Sequence, residues 1–103
     1  MVGRKQSVLE RAVRVLSEQA AAASELVDEA VDAGLDGSHP LTVHAKMLRL
    51  ELLKTKAALE RELGRLVLDC SRCWRTVHWV SGLGVEPGHW AHAEPAPNHE
   101  PAV

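Results

Sequence analysis

The last third of this 103-residue chain concentrates the side chains that ligate metals. Cys70-Ser-Arg-Cys73 is a Cys-x-x-Cys turn, and His78, His89, His92 and His99 follow it. A structural zinc takes four thiolate or imidazole ligands in a tetrahedron, commonly a Cys-x-x-Cys knuckle plus a second pair. Cys70 and Cys73 supply the first pair. His89 and His92 are one candidate second pair, giving the spacing C-x2-C-x15-H-x2-H. The rival set is Cys70, Cys73, His92 and His99, so His89 and His99 compete for the fourth position. Residues three apart in a flat strand point to opposite faces. His89 and His92 therefore converge only across a turn, for which Pro87-Gly88 is the candidate. His78 lies mid-strand between Val77 and Trp79 and falls outside the set. Four ligands leave no open coordination position and no carboxylate is placed as a base, so the expected Zn2+ is structural and no enzyme is expected.

The segments around these ligands are β-rich and turn-rich. Trp74-Arg-Thr-Val-His-Trp-Val80 reads as a strand, Ser81 to Gly88 as turns, and His89-Trp-Ala-His92 as a short second strand. Trp74, Trp79 and Trp90 are expected to pack over the knuckle. A hairpin this small lacks a core, so the metal supplies folding energy and its removal unravels this end. The Pro-rich residues 93–103 are expected to be extended or disordered. The expected division is a helical unit over 1–69, a zinc-binding module over 70–99 and a disordered tail over 100–103.

Upstream the chemistry changes. The first 69 residues carry no aromatic ring except His39 and His44. Leu9, Val13, Leu16, Ala20, Ala23, Val27 and Ala30 recur at steps of four and three, which is a coiled-coil seam. Ser7 with Glu10 reads as a capping box at its start, and Gly34 with Asp36-Gly37-Ser38-His39-Pro40 as its stop. A second helix is expected from about Leu41 to Leu68, with a seam of Leu48, Leu52, Thr55 or Lys56, Leu59, Leu63 and Leu66. The short link makes the two antiparallel neighbours. The expected fold is mostly α: an antiparallel two-helix coiled-coil hairpin followed by a small C-terminal zinc-ribbon-like β-hairpin.

Charge is unevenly spread. Between Val15 and Ala45 stand Glu18, Glu25, Asp28, Glu29, Asp32 and Asp36 with no Lys or Arg. The second helix carries Lys46, Arg49, Lys54, Lys56, Arg61 and Arg65, so folding back is expected to pair acids with bases across the hairpin. Acids near a helix C-terminus oppose its macrodipole and call for a basic neighbour or ligand. The net charge of −2 gives no overall basic field for nucleic acid, and no run approaches the length of a membrane span. The N-terminus has no apolar leader, so a cytoplasmic location is expected.

The order of parts, a helical hairpin, then Cys70-Ser-Arg-Cys73, then His89-Trp-Ala-His92, with the acidic tip Asp28-Glu29-Ala-Val-Asp32-Ala33, resembles the DksA/TraR family of RNA polymerase secondary-channel regulators. Here the second pair is His rather than Cys, and Trp74 stands where a glycine commonly follows the knuckle. The resemblance implies a zinc finger beside a coiled coil whose acidic tip, Asp28, Glu29 and Asp32, meets a protein partner. The C-terminal third is also similar to small actinobacterial zinc-ribbon modules in which Trp-x-His, here Trp90-Ala-His92, precedes a further ligand. That likeness implies His99 rather than His89. The expected function is a zinc-stabilised protein-interaction module, a small bacterial regulator or adaptor. Its expected partner is another protein, RNA polymerase among them, or a second copy bound through the helices. The alternatives are a nucleic-acid-binding zinc finger using Arg72 and Arg75, and a self-assembling structural coiled coil.

Overall fold

Two long helices lie side by side and a small sheet closes one end. The computed structural model of the chain describes residues 3–93 and 100–102. Helix α1 spans Arg4–Asp32 and α2 spans Pro40–Gly64. Strands β1 (Leu68–Asp69), β2 (Thr76–Val80) and β3 (His89–His92) form an antiparallel sheet in the order β1-β2-β3. Among the described residues no helix is long and apolar enough to cross a membrane.

The α1 seam follows the predicted spacing closely. Val13, Ala20, Ala23, Val27 and Ala30 are buried, joined by Ser17 and Gln6, while Leu9 and Leu16 are half-buried. Small residues at most seam positions let the helix backbones approach closely. The helix starts earlier than the capping box implies. Gly3 is the N-cap without a side-chain cap, and the Ser7 amide donates to the Gly3 carbonyl within the first turn. Glu10 is occupied elsewhere: its carboxylate accepts from the Trp90 indole.

The link between the helices is built from local hydrogen bonds. At the end of α1 the Gly34 amide donates to the Val31 carbonyl and the Leu35 amide to the Ala30 carbonyl, a Schellman closure. It requires the left-handed backbone of Gly34, whose φ is 87°. Asp36 Oδ1 then accepts from the Ser38 amide at 2.9 Å and from Ser38 Oγ at 2.7 Å. These bonds, with that from the side-chain hydroxyl the largest influence, hold the Asp36 carboxyl below the usual carboxylate range. His39 caps α2 by accepting the Leu41 amide on Nδ1 at 3.1 Å, and Pro40 follows in the first turn, where its missing N–H costs nothing.

The second helix keeps most of its predicted seam, with Lys56 and Leu63 buried and Leu52, Leu59 and Leu66 half-buried, and departs from it at Leu48. Thr42, Ala45, Lys56, Glu60 and Leu63 are buried, Arg49 is half-buried, and Leu48 points to solvent. α2 also stops at Gly64, so Leu68 and Asp69 leave the helix and become β1, adding a third strand to the expected hairpin. The expected pairing of charges across the hairpin is absent among the described residues. Their ion pairs within 4 Å are Lys54–Glu51 and Lys56–Glu60, both inside α2.

Lys56 and Glu60 instead anchor the sheet. The pair is 3% and 2% exposed. Glu60 Oε1 accepts the Gly88 amide at 2.7 Å, and Glu60 Oε2 accepts the Gly82 amide at 3.2 Å. Lys56 Nζ lies 3.4 Å from Glu60 Oε2 and donates to the Gly82 carbonyl at 3.3 Å. Buried charges are tolerated only when paired and hydrogen-bonded, as both are here. Any Cβ at Gly82 would strike the Glu86 and Pro87 backbone, and one at Gly88 the Val80 carbonyl and Trp79 ring. The β2–β3 connection is thereby fastened down on α2.

Candidate metal centre

The register of the sheet decides which ligands meet. Val77 faces His92 across β2 and β3, Trp79 faces Trp90, and Val80 faces His89; on the other side Leu68 faces Val77. Side chains alternate along a strand. Leu68, Val77, Trp79, Trp90 and His92 therefore share one face, and His78, Val80 and His89 share the other. The first is the inner face: Val77 is fully buried, and Trp90 reaches Glu10 of α1. Trp79 and Trp90 meet edge to face with ring centroids 5.3 Å apart.

Cys70 follows β1 directly and is fully buried. Its amide donates to the Arg75 carbonyl and its carbonyl accepts the Trp74 amide, both at 2.8 Å, which closes the six-residue turn from β1 into β2. Trp74 completes the turn with a φ of 61°, the left-handed conformation that a glycine at this position would adopt without strain. The ring of Trp74 is 78% exposed, so it does not pack over the knuckle as Trp79 and Trp90 pack over the inner face.

His92 ends β3 on the side next to this turn. Cys70, Cys73 and His92 each bring one ligand atom to within 4.8 Å of the others. Cys73 Sγ and His92 Nε2 are 3.4 Å apart. Zn–S and Zn–N bonds of about 2.3 and 2.0 Å at a tetrahedral angle put the two ligand atoms about 3.5 Å apart. Cys70, Cys73 and His92 could therefore hold a metal ion through two sulfurs and one imidazole nitrogen.

His89 is not part of this cluster. It is exposed at the far end of β3, about 10 Å from His92 at 3.4 Å per residue, and on the outer face of the sheet. The Pro87-Gly88 turn comes before His89, not between the two histidines, so β3 runs straight through both. His99 lies outside the described residues. Beyond it, the carbonyl of Ala102 accepts the Ser71 amide at 2.6 Å, and Pro101 and Ala102 are half-buried. Ala102, in the tail over 100–103, is thus tied to the knuckle by a hydrogen bond.

Asp28, Glu29 and Asp32 are exposed in the last two turns of α1, at the end of the hairpin opposite the sheet. Lys56 and Glu60 are the structural residues that sequence reasoning missed as a clamp on the module. Their only sequence signal is a charged pair four residues apart on an otherwise apolar seam. Family models, curated proteins and solved structures give no match to the chain.

Proposed function

We propose that the protein is a zinc-stabilised helical interaction module, a small regulator or adaptor that acts by binding another protein. The observation that carries this reading is the convergence of Cys70, Cys73 and His92 at the base of a helical hairpin whose exposed tip acids, Asp28, Glu29 and Asp32, make no ion pair within 4 Å among the described residues. In this reading His99 is the fourth ligand. Ala102, only three residues further on, is hydrogen-bonded to the residue next to Cys70, which supports that choice. The metal fixes the sheet, and the sheet fixes the base of the hairpin through Glu60 and Trp90. The free end then presents Asp28, Glu29 and Asp32 to a basic surface. The test is co-purification with candidate partners, RNA polymerase core first, comparing the wild type with an Asp28→Ala, Glu29→Ala, Asp32→Ala triple variant. Capture that the triple variant loses supports the reading; equal capture by both removes the tip from it.

A second reading rests on one observation. Trp74 is exposed at the turn with exposed Arg72 and Arg75 beside it. An exposed ring with exposed arginines nearby in the chain suits stacking on a nucleic-acid base. Salt-dependent binding to single-stranded oligonucleotides that is lost in Trp74→Ala would favour this reading.

A further inference from the structure

α1 carries a second heptad seam beside the one it buries against α2. Val8, Ala12, Val15, Gln19, Ala22 and Leu26 recur at steps of four, three, four, three and four. Val8, Val15, Ala22 and Leu26 are exposed, as is Gln19, and Ala12 is half-buried. The stripe runs about 27 Å at 1.5 Å per residue. The sheet leaves it uncovered. It meets α1 at Glu10, two residues after Val8 and so about 200° around the helix.

The stripe is self-complementary when read backwards. In an antiparallel pair centred beside Ser17, Val8 meets Leu26 of a second copy, Ala12 meets Ala22 and Val15 meets Gln19. The charges flanking the stripe follow the same symmetry. Lys5 comes opposite Glu29 of the second copy in that register, and on the stripe's flank, where pairing is displaced by two residues, Arg4 comes beside Asp32 and Arg11 beside Glu25, each pair occurring twice. All six are exposed, and none makes an ion pair within 4 Å among the described residues. A parallel pair would set each of them against its own like. The helix also carries its charge against its dipole, with no acid in its first turn and no base in its last. An antiparallel neighbour corrects both ends at once. Among these flanking charges Glu18, which the same displacement brings beside its own copy near the two-fold axis, is unfavourable.

We propose that the protein forms an antiparallel homodimer through this outer stripe of α1, the partner being a second copy of the chain. The proposal rests on the interaction-module reading and adds a second partner to it, bound along α1 and not at the tip. Each exposed ion pair is weak, so the charges select orientation while the apolar stripe supplies contact area.

The test is sedimentation of the full zinc-loaded chain, with zinc content and far-UV circular dichroism recorded for every variant. The wild type is expected at twice the 11.2 kDa chain mass, with dissociation rising with salt. Arg11→Glu and Glu25→Arg are each expected to raise the dissociation constant about tenfold, and the double variant to restore it to within about threefold. A mixture of Val8→Cys and Leu26→Cys chains is expected to cross-link, whereas neither does so alone. A monomer at about 0.1 mM, a concentration at which a dimer of micromolar dissociation constant is largely formed, overturns the proposal. So does a double variant no better than the singles, or self-cross-linking of Val8→Cys. Arg11 lies outside the acidic tip and Asp28 outside the stripe. Arg11→Glu therefore probes the dimer alone, and Asp28→Ala probes capture of other proteins alone.

Discussion

The Gly88 amide donates to Glu60 Oε1 at 2.7 Å, joining the turn before β3 to the last part of α2 across 28 residues. Replacing Glu60 with Ala leaves Lys56 as an unpaired buried charge and two glycine amides without acceptors. Breaking one side of a buried pair costs about 3–5 kcal/mol. Glu60→Ala is expected to lower chemical-denaturation stability by that amount, whereas Glu51→Ala, in the exposed pair with Lys54, is expected to change it by less than about 1 kcal/mol.

The strand parity of β3 separates its two histidines. His92→Ala is expected to abolish stoichiometric zinc in the purified protein, and His89→Ala to leave it intact, as measured by elemental analysis. Chelation is expected to change the fluorescence of Trp79 and Trp90, which share the inner face with His92. The change should persist in Trp74→Phe, because Trp74 projects into solvent.

Much of the hairpin was legible in the sequence because its information is local. The three-four spacing of Val13, Ala20, Ala23, Val27 and Ala30 is a property of one helix, and Asp36-Gly37-Ser38-His39-Pro40 writes its hydrogen bonds within five residues. Cys70, Cys73 and His92 were legible for a similar reason, since few other roles suit that cluster of residue types. The clamp was not legible. Its acceptor is a glutamate that resembles a surface helix residue, and its donors are backbone amides, which carry no side-chain signature. β1 was hidden likewise, because Leu68 reads as the end of the α2 pattern and only the pairing of Leu68 and Asp69 with Val77 and Thr76 makes them a strand. Ser7 and Glu10 match a capping box, but the N-cap is Gly3 and the Glu10 carboxylate accepts from a partner 80 residues away.

Trp74 occupies a left-handed backbone position while burying little of its ring. The left-handed region costs a non-glycine residue about 1 kcal/mol. Trp74→Gly is therefore expected to stabilise the zinc-loaded protein by about 1 kcal/mol in thermal or denaturant unfolding. An unchanged or lowered stability would mean that the indole makes up the difference through its contacts.

Asp36 contributes a pH dependence of known sign. Its folded carboxyl ionises below the usual carboxylate range because Ser38 Oγ and the Ser38 amide both donate to it. The linked stability is present in full above the unfolded carboxyl's ordinary value and is lost as pH falls through the folded value. A carboxyl-carbon NMR titration is expected to show the depressed value, and Ser38→Ala to move it upward toward the ordinary one.

The fastening of the β2–β3 connection also provides a gauge of local opening. The amides of Gly82 and Gly88 can exchange with solvent deuterium only when the carboxylate of Glu60 lets go of them. Their exchange rates thus time the lifting of the sheet off its supporting helix, separately from the melting of that helix. A ligand, a metal or an assembly state that tightens the base of the hairpin will be read first at two glycines that touch none of them.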